Sequence, residues 1–85
     1  MTLASDTLEF EAFGAALLAE LELPPVALDD ATRLVDDLGF DSVLLFELLL
    51  VIEDWIGVML PEALLPNLRT VGDVYEVYRT RRAHG

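Results

Sequence analysis

The chain has 85 residues, of which 16 are acidic, 5 basic and 54% hydrophobic, giving a formal net charge of −11. That length holds one hydrophobic core, because a second would need roughly another 50 residues, and it excludes an enzyme with a deep substrate pocket of its own. The absence of cysteine excludes disulfides, thiolate metal sites and any protein-borne thiol, while the charge argues against nucleic acid and anionic membranes and in favour of basic partner surfaces.

Four helical segments can be read along the chain with no competing strand pattern, and residues 1–85 are read as a single domain. Phe10, Phe13, Leu17 and Leu21 recur at three- and four-residue steps, which predicts a first helix over about 6–21, with Asp6 and Glu9 placed as its cap and third-position acid. Pro24 and Pro25 stop it. From 22 to 41 the apolar residues Val26, Leu28, Leu34, Val35 and Leu38 are scattered among acids without a period, so this stretch reads as a long ordered loop with one short turn near Ala31 to Val35. Loops of that length are uncommon in small domains unless they carry function. The Asp41-Ser42 pair before an apolar run is a start signal, and Gly57 suits a left-handed cap, so a second helix is expected over about 42–56. Pro61 and Glu62 open a short third helix over 61–65 that Pro66 closes. Thr70-Val71-Gly72-Asp73 resembles a capping box and begins a fourth helix over about 70–82, with Val71, Val74, Tyr75 and Tyr78 as its apolar stripe. Arg79, Arg81 and Arg82 lie at its C-terminal end, where cations complement the helix dipole.

The N-terminus has no basic segment followed by an apolar stretch, so no secretion signal is expected. The longest apolar run, Val43 to Ile52, is broken by Glu47 and is far shorter than the roughly 20 residues that cross a bilayer. A cytoplasmic protein with no membrane association follows as the expectation. Met1 and the lack of flanking domain sequence suggest a freestanding chain. Ten of the acids fall between residues 20 and 54, whereas four of the five arginines come later, so charge is polarised along the chain.

Catalytic constellations are missing. His84, the single histidine, is next to the C-terminal residue, and no serine or threonine has a base beside it in the sequence. The acids around Asp36-Asp37-Leu38-Gly39-Phe40-Asp41 lack the alternating oxygen ligands and terminal glutamate of a calcium loop. Gly39 stands alone instead of in a phosphate-cradling loop. No metal site and no enzyme activity are expected. Ser42 raises a different question, because the first turn of a helix suits an ordinary cap and also, through its free amides and positive dipole end, a phosphate.

The segment Asp37-Leu38-Gly39-Phe40-Asp41-Ser42-Val43 resembles the signature of the acyl carrier protein family, in which a Gly-x-Asp-Ser-Leu pattern bears a modified serine. The likeness spans roughly residues 8 to 80. An acid-rich loop precedes the motif, Glu47 and the Glu53-Asp54 pair fall where the family keeps acids on helix II, Leu60-Pro61-Glu62-Ala63 is similar to its start of helix III, and Thr70-Val71-Gly72-Asp73 to its start of helix IV. The resemblance implies an all-α, four-helix acyl-carrier-like bundle with a long loop between helices I and II and a short helix III. It also implies a 4'-phosphopantetheine arm on Ser42, taken from coenzyme A by a phosphopantetheinyl transferase that needs magnesium, with acyl groups held as thioesters. Asp41 then belongs to the motif, as a helix cap or as a contact to the transferase's metal. An acyltransferase, ketosynthase or adenylation enzyme would dock at helix II.

Helix II departs from the family in being more apolar. At 100° per residue, Glu47 and Asp54 point nearly the same way, with Leu44, Leu50 and Val51 within about 60° of them. Leu44, Leu45, Glu47, Leu50, Val51 and Asp54 are therefore the candidate partner-binding residues; the other reading is that the leucines pack under the long loop or under the third helix. Val43, standing where the family has leucine, is compatible with the same buried role, and Trp55 reads as a core or rim aromatic. An apolar helix II suggests dedicated partners and hence a monomeric carrier in polyketide, antibiotic or related natural-product biosynthesis. An aminoacyl or peptidyl carrier loaded by an adenylation enzyme uses the same fold and serine. An acidic helical adaptor that never acquires the arm is the alternative of another class.

Overall fold

The computed structural model describes residues 8–84, with side chains described as far as residue 81. The first helix, α1, spans Phe10–Glu20. It starts at the first residue of its apolar repeat, later than a cap at Asp6 would place it, and just before it the Leu8 N–H donates to Tyr78 Oη at 3.0 Å and the Leu8 carbonyl accepts from Tyr75 Oη at 2.8 Å. These bonds tie the backbone of Leu8 to the two tyrosines just ahead of the helix start. Glu9 is the extended N-cap residue and its side chain makes no capping bond; Asp6 lies outside the described residues. At the other end Glu22 adopts a left-handed φ of 58°, and the N–H groups of Glu22 and Leu23 donate to Ala19 and Leu18, closing the helix as a Schellman turn. The two prolines that follow cannot resume it.

Helix α2, Ser42–Ile56, runs through the centre and buries Leu48, Leu49, Ile52 and Ile56, a spacing that defines one face at 3.6 residues per turn. Gly57 ends it with φ 77°. Glu53 then reaches forward, its Oε2 accepting from the Leu60 N–H at 2.8 Å, which fixes the connection that follows. The third segment is a 3-10 helix over Glu62–Asn67 and continues past Pro66 instead of stopping there. A short 3-10 turn gives up little at a proline, which removes one N–H and keeps a compatible φ.

Helix α3, Val71–His84, opens with a reciprocal cap. Thr70 Oγ1 accepts from the Asp73 N–H at 3.1 Å, while Asp73 Oδ2 accepts from the N–H groups of Thr70 and Arg69 at 3.1 and 3.0 Å. This satisfies donors that a helix start leaves unpaired. Val71, Val74 and Tyr78 are buried against α1 and α2. His84 closes the helix, with its side chain outside the described residues.

Among the described residues the result is an all-α fold of three α-helices and one 3-10 helix, and the sole β-type pairing there is an isolated bridge between Arg33 and Thr70. Phe13, Leu17, Leu34, Leu48, Leu49, Ile52, Val71 and Val74 form the sealed centre. Around it, Phe13 sits within ring-contact distance of Trp55, Tyr75 and Tyr78, at 5.8, 5.1 and 4.9 Å between centroids. Trp55 is thus a half-buried core-edge aromatic.

The long connection between α1 and α2 is held against the start of α3 by backbone bonds, Leu34 N–H to Arg69 O, Val71 N–H to Thr32 O and Gly72 N–H to Asp30 O, all 2.9 to 3.0 Å. Gly72 allows this approach, since a Cβ there would lie 2.6 Å from the Asp30 carbonyl oxygen. The turn within the connection occupies residues 34–38, slightly later than its composition suggests, because Asp37 closes it by accepting from the Arg33 N–H at 2.8 Å.

Candidate functional site

Ser42 is the first helical residue of α2, and two anchors place it. Upstream, Leu34 and Phe40 are buried in the core, with Phe40 N–H bonded to Leu34 O at 3.0 Å. Between them Gly39 takes φ 74°, a conformation glycine adopts without steric penalty, and it turns the chain from the core into the helix start. Downstream, Leu48 and Leu49 seat the first turns of α2. The helix therefore begins at the surface with a fixed direction, and Ser42 is exposed.

Asp41 is the N-cap. Its Oδ1 accepts from the Leu44 N–H at 2.9 Å, and its carbonyl accepts from Leu45 N–H at 2.9 Å. The Ser42 hydroxyl has no hydrogen-bond partner among the described residues. Capping thus falls to Asp41 and leaves the serine oxygen unengaged. The Ser42 and Val43 N–H groups remain open at the positive end of a 15-residue helix, and no acid lies within its first turn. An exposed hydroxyl, open amides and a favourable dipole fit a phosphodiester on Ser42 Oγ.

Just before the motif, Arg33 holds Asp36 and Asp37 at 3.4 and 3.2 Å. The hydrogen bond from the Arg33 side chain, then that from its backbone N–H, lowers the Asp37 carboxyl below its ordinary range, and the same side-chain bond raises the Arg33 guanidinium. All three side chains are exposed, so this cluster shapes the turn without stabilising it by much.

The candidate docking residues on α2 are dispersed. Glu47, Leu50 and Asp54 are exposed, whereas Leu44, Leu45 and Val51 are half-buried and pack against the core cluster. Glu53 is committed to Leu60. Val43 is 64% exposed, which corrects the expectation of a buried role: as the second helical residue it points away from the Leu48–Leu49 face. Phe46, 42% exposed, is a residue that the sequence reading missed; its position four residues after Ser42, one helical turn along, was the available signal. Among the described residues no cluster of His, Asp or Glu is placed to hold a metal, and no helix is long and apolar enough to cross a membrane.

Comparison with known proteins agrees with this geometry. The phosphopantetheine attachment site family matches residues 11–77. An acyl carrier protein of Saccharopolyspora erythraea is 34% identical over 68 residues, covering 80% of this chain and 72% of its own. One from Wolinella succinogenes is 26% identical over 73 residues, covering 86% and 96% respectively. The solved structure of a candidate acyl carrier protein from Mycobacterium tuberculosis superposes with a TM-score of 0.68 at 37% identity, over 79% of this chain and 89% of that one.

Proposed function

Because the chain belongs to the acyl carrier protein family, whose members carry covalent phosphopantetheine, we propose that Ser42 Oγ is the attachment point and that the chain presents acyl groups to partner enzymes docked along α2. The observation that carries this reading is the division of labour at the helix start, where Asp41 caps and an exposed serine one residue on is left with its hydroxyl unengaged.

When bound, phosphopantetheine supplies a terminal thiol that holds an acyl group as a thioester. The protein's own residues do the positioning. Phe40 and Leu34 hold the preceding turn to the core and Asp41 fixes the first turn of α2, while the open amides of Ser42 and Val43 would favour an anionic ester on Oγ. In esterification Ser42 Oγ would attack the arm's phosphorus in coenzyme A, the pyrophosphate bond breaking and adenosine 3',5'-bisphosphate leaving, while the hydroxyl proton passes to the modifying enzyme, since the motif offers no base of its own beyond Asp41, which is occupied with Leu44. The chain itself is a carrier without a catalytic site, working as a monomer in the cytoplasm, with a phosphopantetheinyl transferase as its first partner and acyl-loading or condensing enzymes after it.

The exposed apolar residues of α2 favour a dedicated carrier of polyketide-type or related natural-product synthesis over a general one, because such a face suits a small set of matched partners. The test is intact-protein mass measurement after incubation with a broad-specificity phosphopantetheinyl transferase and coenzyme A. Wild type gains the mass of the arm and Ser42→Ala does not. No gain by wild type with several such transferases would overturn the reading and leave an unmodified adaptor.

A further inference from the structure

We infer that Asp73, on α3, is a positioning residue for Ser42: through one clamped peptide and the backbone of Leu34 it registers the turn that presents the serine to the enzyme installing the arm. This rests on the carrier reading above and adds to it a residue outside the motif.

The link is a chain of hydrogen bonds. Asp73 Oδ2 accepts from the N–H groups of Arg69 and Thr70 at 3.0 and 3.1 Å. The Thr70 N–H belongs to the same planar peptide as the Arg69 carbonyl, and that carbonyl accepts from the Leu34 N–H at 2.9 Å. The two groups of a trans peptide point opposite ways, so this peptide is held from both sides. Leu34 passes the constraint on, its own carbonyl accepting from the Phe40 N–H at 3.0 Å. Phe40 is followed directly by the Asp41 cap and Ser42.

Leu34 is where the turn at residues 33–40 is registered. Among the described residues, the turn's other backbone bonds stay within it: Asp37 and Leu38 N–H to Arg33 O, Gly39 N–H to Val35 O and Phe40 N–H to Leu34 O. The Leu34 N–H alone of these reaches the rest of the bundle. The bonds from Val71 and Gly72 meet Thr32 and Asp30, upstream of the turn. Burial of Leu34 and Phe40 holds the turn to the core, but apolar contact is non-directional, whereas a hydrogen bond weakens steeply as its angle closes. Packing of α2 thus sets the helix axis, and the bonded chain from Asp73 sets how the backbone enters it.

Thr70 supplies a contrast within the same cap. Its Oγ1 accepts from the Asp73 N–H at 3.1 Å and bonds neither group of the clamped peptide. Asp73→Ala and Thr70→Ala each lose a capping bond and should each lower Tm by about 4–8 °C, but only the first frees the peptide on which Leu34 hangs. A serine held less firmly still docks and reaches the reacting geometry less often, which lowers kcat and spares KM.

The test uses the full chain, coenzyme A and a broad-specificity phosphopantetheinyl transferase, with arm transfer followed by intact mass at a temperature where circular dichroism shows each variant folded. Asp73→Ala should lower kcat by about tenfold with KM within about twofold of wild type. Asp73→Asn, which keeps an accepting oxygen, should recover most of the loss, and Thr70→Ala should turn over as wild type. Asp73→Leu, which keeps side-chain bulk and helix propensity, reads the same way as alanine if that variant does not fold. Hydrogen exchange gives an independent reading: relative to the core amides of α2, the Leu34 and Phe40 amides should exchange about tenfold faster in Asp73→Ala than in Thr70→Ala. A kcat for Asp73→Ala within about twofold of Thr70→Ala, an effect confined to KM, an asparagine variant as slow as alanine, or equal exchange at Leu34 and Phe40 would each overturn the proposal while leaving the carrier reading intact. Failure of wild type to accept the arm at all would overturn both.

Discussion

Replacing Asp41 separates the cap from the charge at the start of α2. Its carboxylate accepts one bond, from Leu44 N–H at 2.9 Å, and lies at the positive end of a 15-residue helix. Losing an N-cap side chain costs about 1 kcal/mol, and losing a favourable charge at that end about 0.3–1 kcal/mol more. Asp41→Ala, which loses both, should destabilise by about 1.5 kcal/mol. Asp41→Asn keeps an accepting oxygen and should lose about 0.5 kcal/mol. For a domain of this size each kcal/mol moves Tm by about 4–8 °C, so the expected falls are about 6–12 °C for alanine and about 2–4 °C for asparagine, read by thermal unfolding in far-ultraviolet circular dichroism. Salt should narrow the gap between wild type and Asp41→Asn, because only the charge component is screened. If alanine melts with wild type, Asp41 is not the cap. If asparagine falls as far as alanine, the hydrogen bond is not what holds the helix start. The same variants report on modification: should the carboxylate also serve the transferase, Asp41→Asn will be folded yet take up the arm more slowly than wild type.

Other perturbations test how the motif is held in place. Gly72→Ala puts a Cβ 2.6 Å from the Asp30 carbonyl oxygen, where backbone must move, so a loss of about 1–3 kcal/mol is expected; a Tm equal to wild type would contradict the close approach. Asp37 is held below its ordinary range by Arg33. Its stabilising effect is therefore present above the unfolded aspartate value and lost as pH falls through the lower folded one. Asp37→Asn should accordingly melt slightly below wild type near neutrality and together with it under strong acid, and a difference that persists or grows in acid would contradict the pairing. Tyr78→Phe removes the hydroxyl that accepts the Leu8 N–H while keeping the buried ring; hydrogen exchange at the Leu8 amide should accelerate, and unchanged protection would place that bond elsewhere.

Features set by neighbouring residues were legible in the sequence. Thr70 and Asp73 are three apart and cap each other; Asp41 precedes an apolar run and caps it; Gly57 ends it in the left-handed region. These signals gave the helical segments, and the resemblance of the Asp37 to Val43 segment to the family signature implied the acyl-carrier fold. Features set by distant residues were not legible. Just ahead of α1 the backbone of Leu8 is bonded to two tyrosine hydroxyls of α3, and no local pattern reports that. The outer face of α2 is a similar case. On an isolated helix Leu44 and Leu50 lie at equal angles on either side of Glu47, about 60° away, but neighbours cover the Leu44 side and leave Leu50, Val43 and Phe46 open. Phe46, about 100° from Glu47, fell outside an arc centred on the acids. Glu53, which with Asp54 falls where the family keeps acids on helix II, is taken up by its bond to Leu60 N–H.

The most direct measurement is fragment mass mapping of the protein isolated from cells that make it. A single modified fragment containing Ser42, carrying phosphopantetheine alone or with an acyl group on its sulfur, is the predicted result. A Ser42 fragment of unmodified mass under conditions where other carriers in the same cells hold their arms would contradict it.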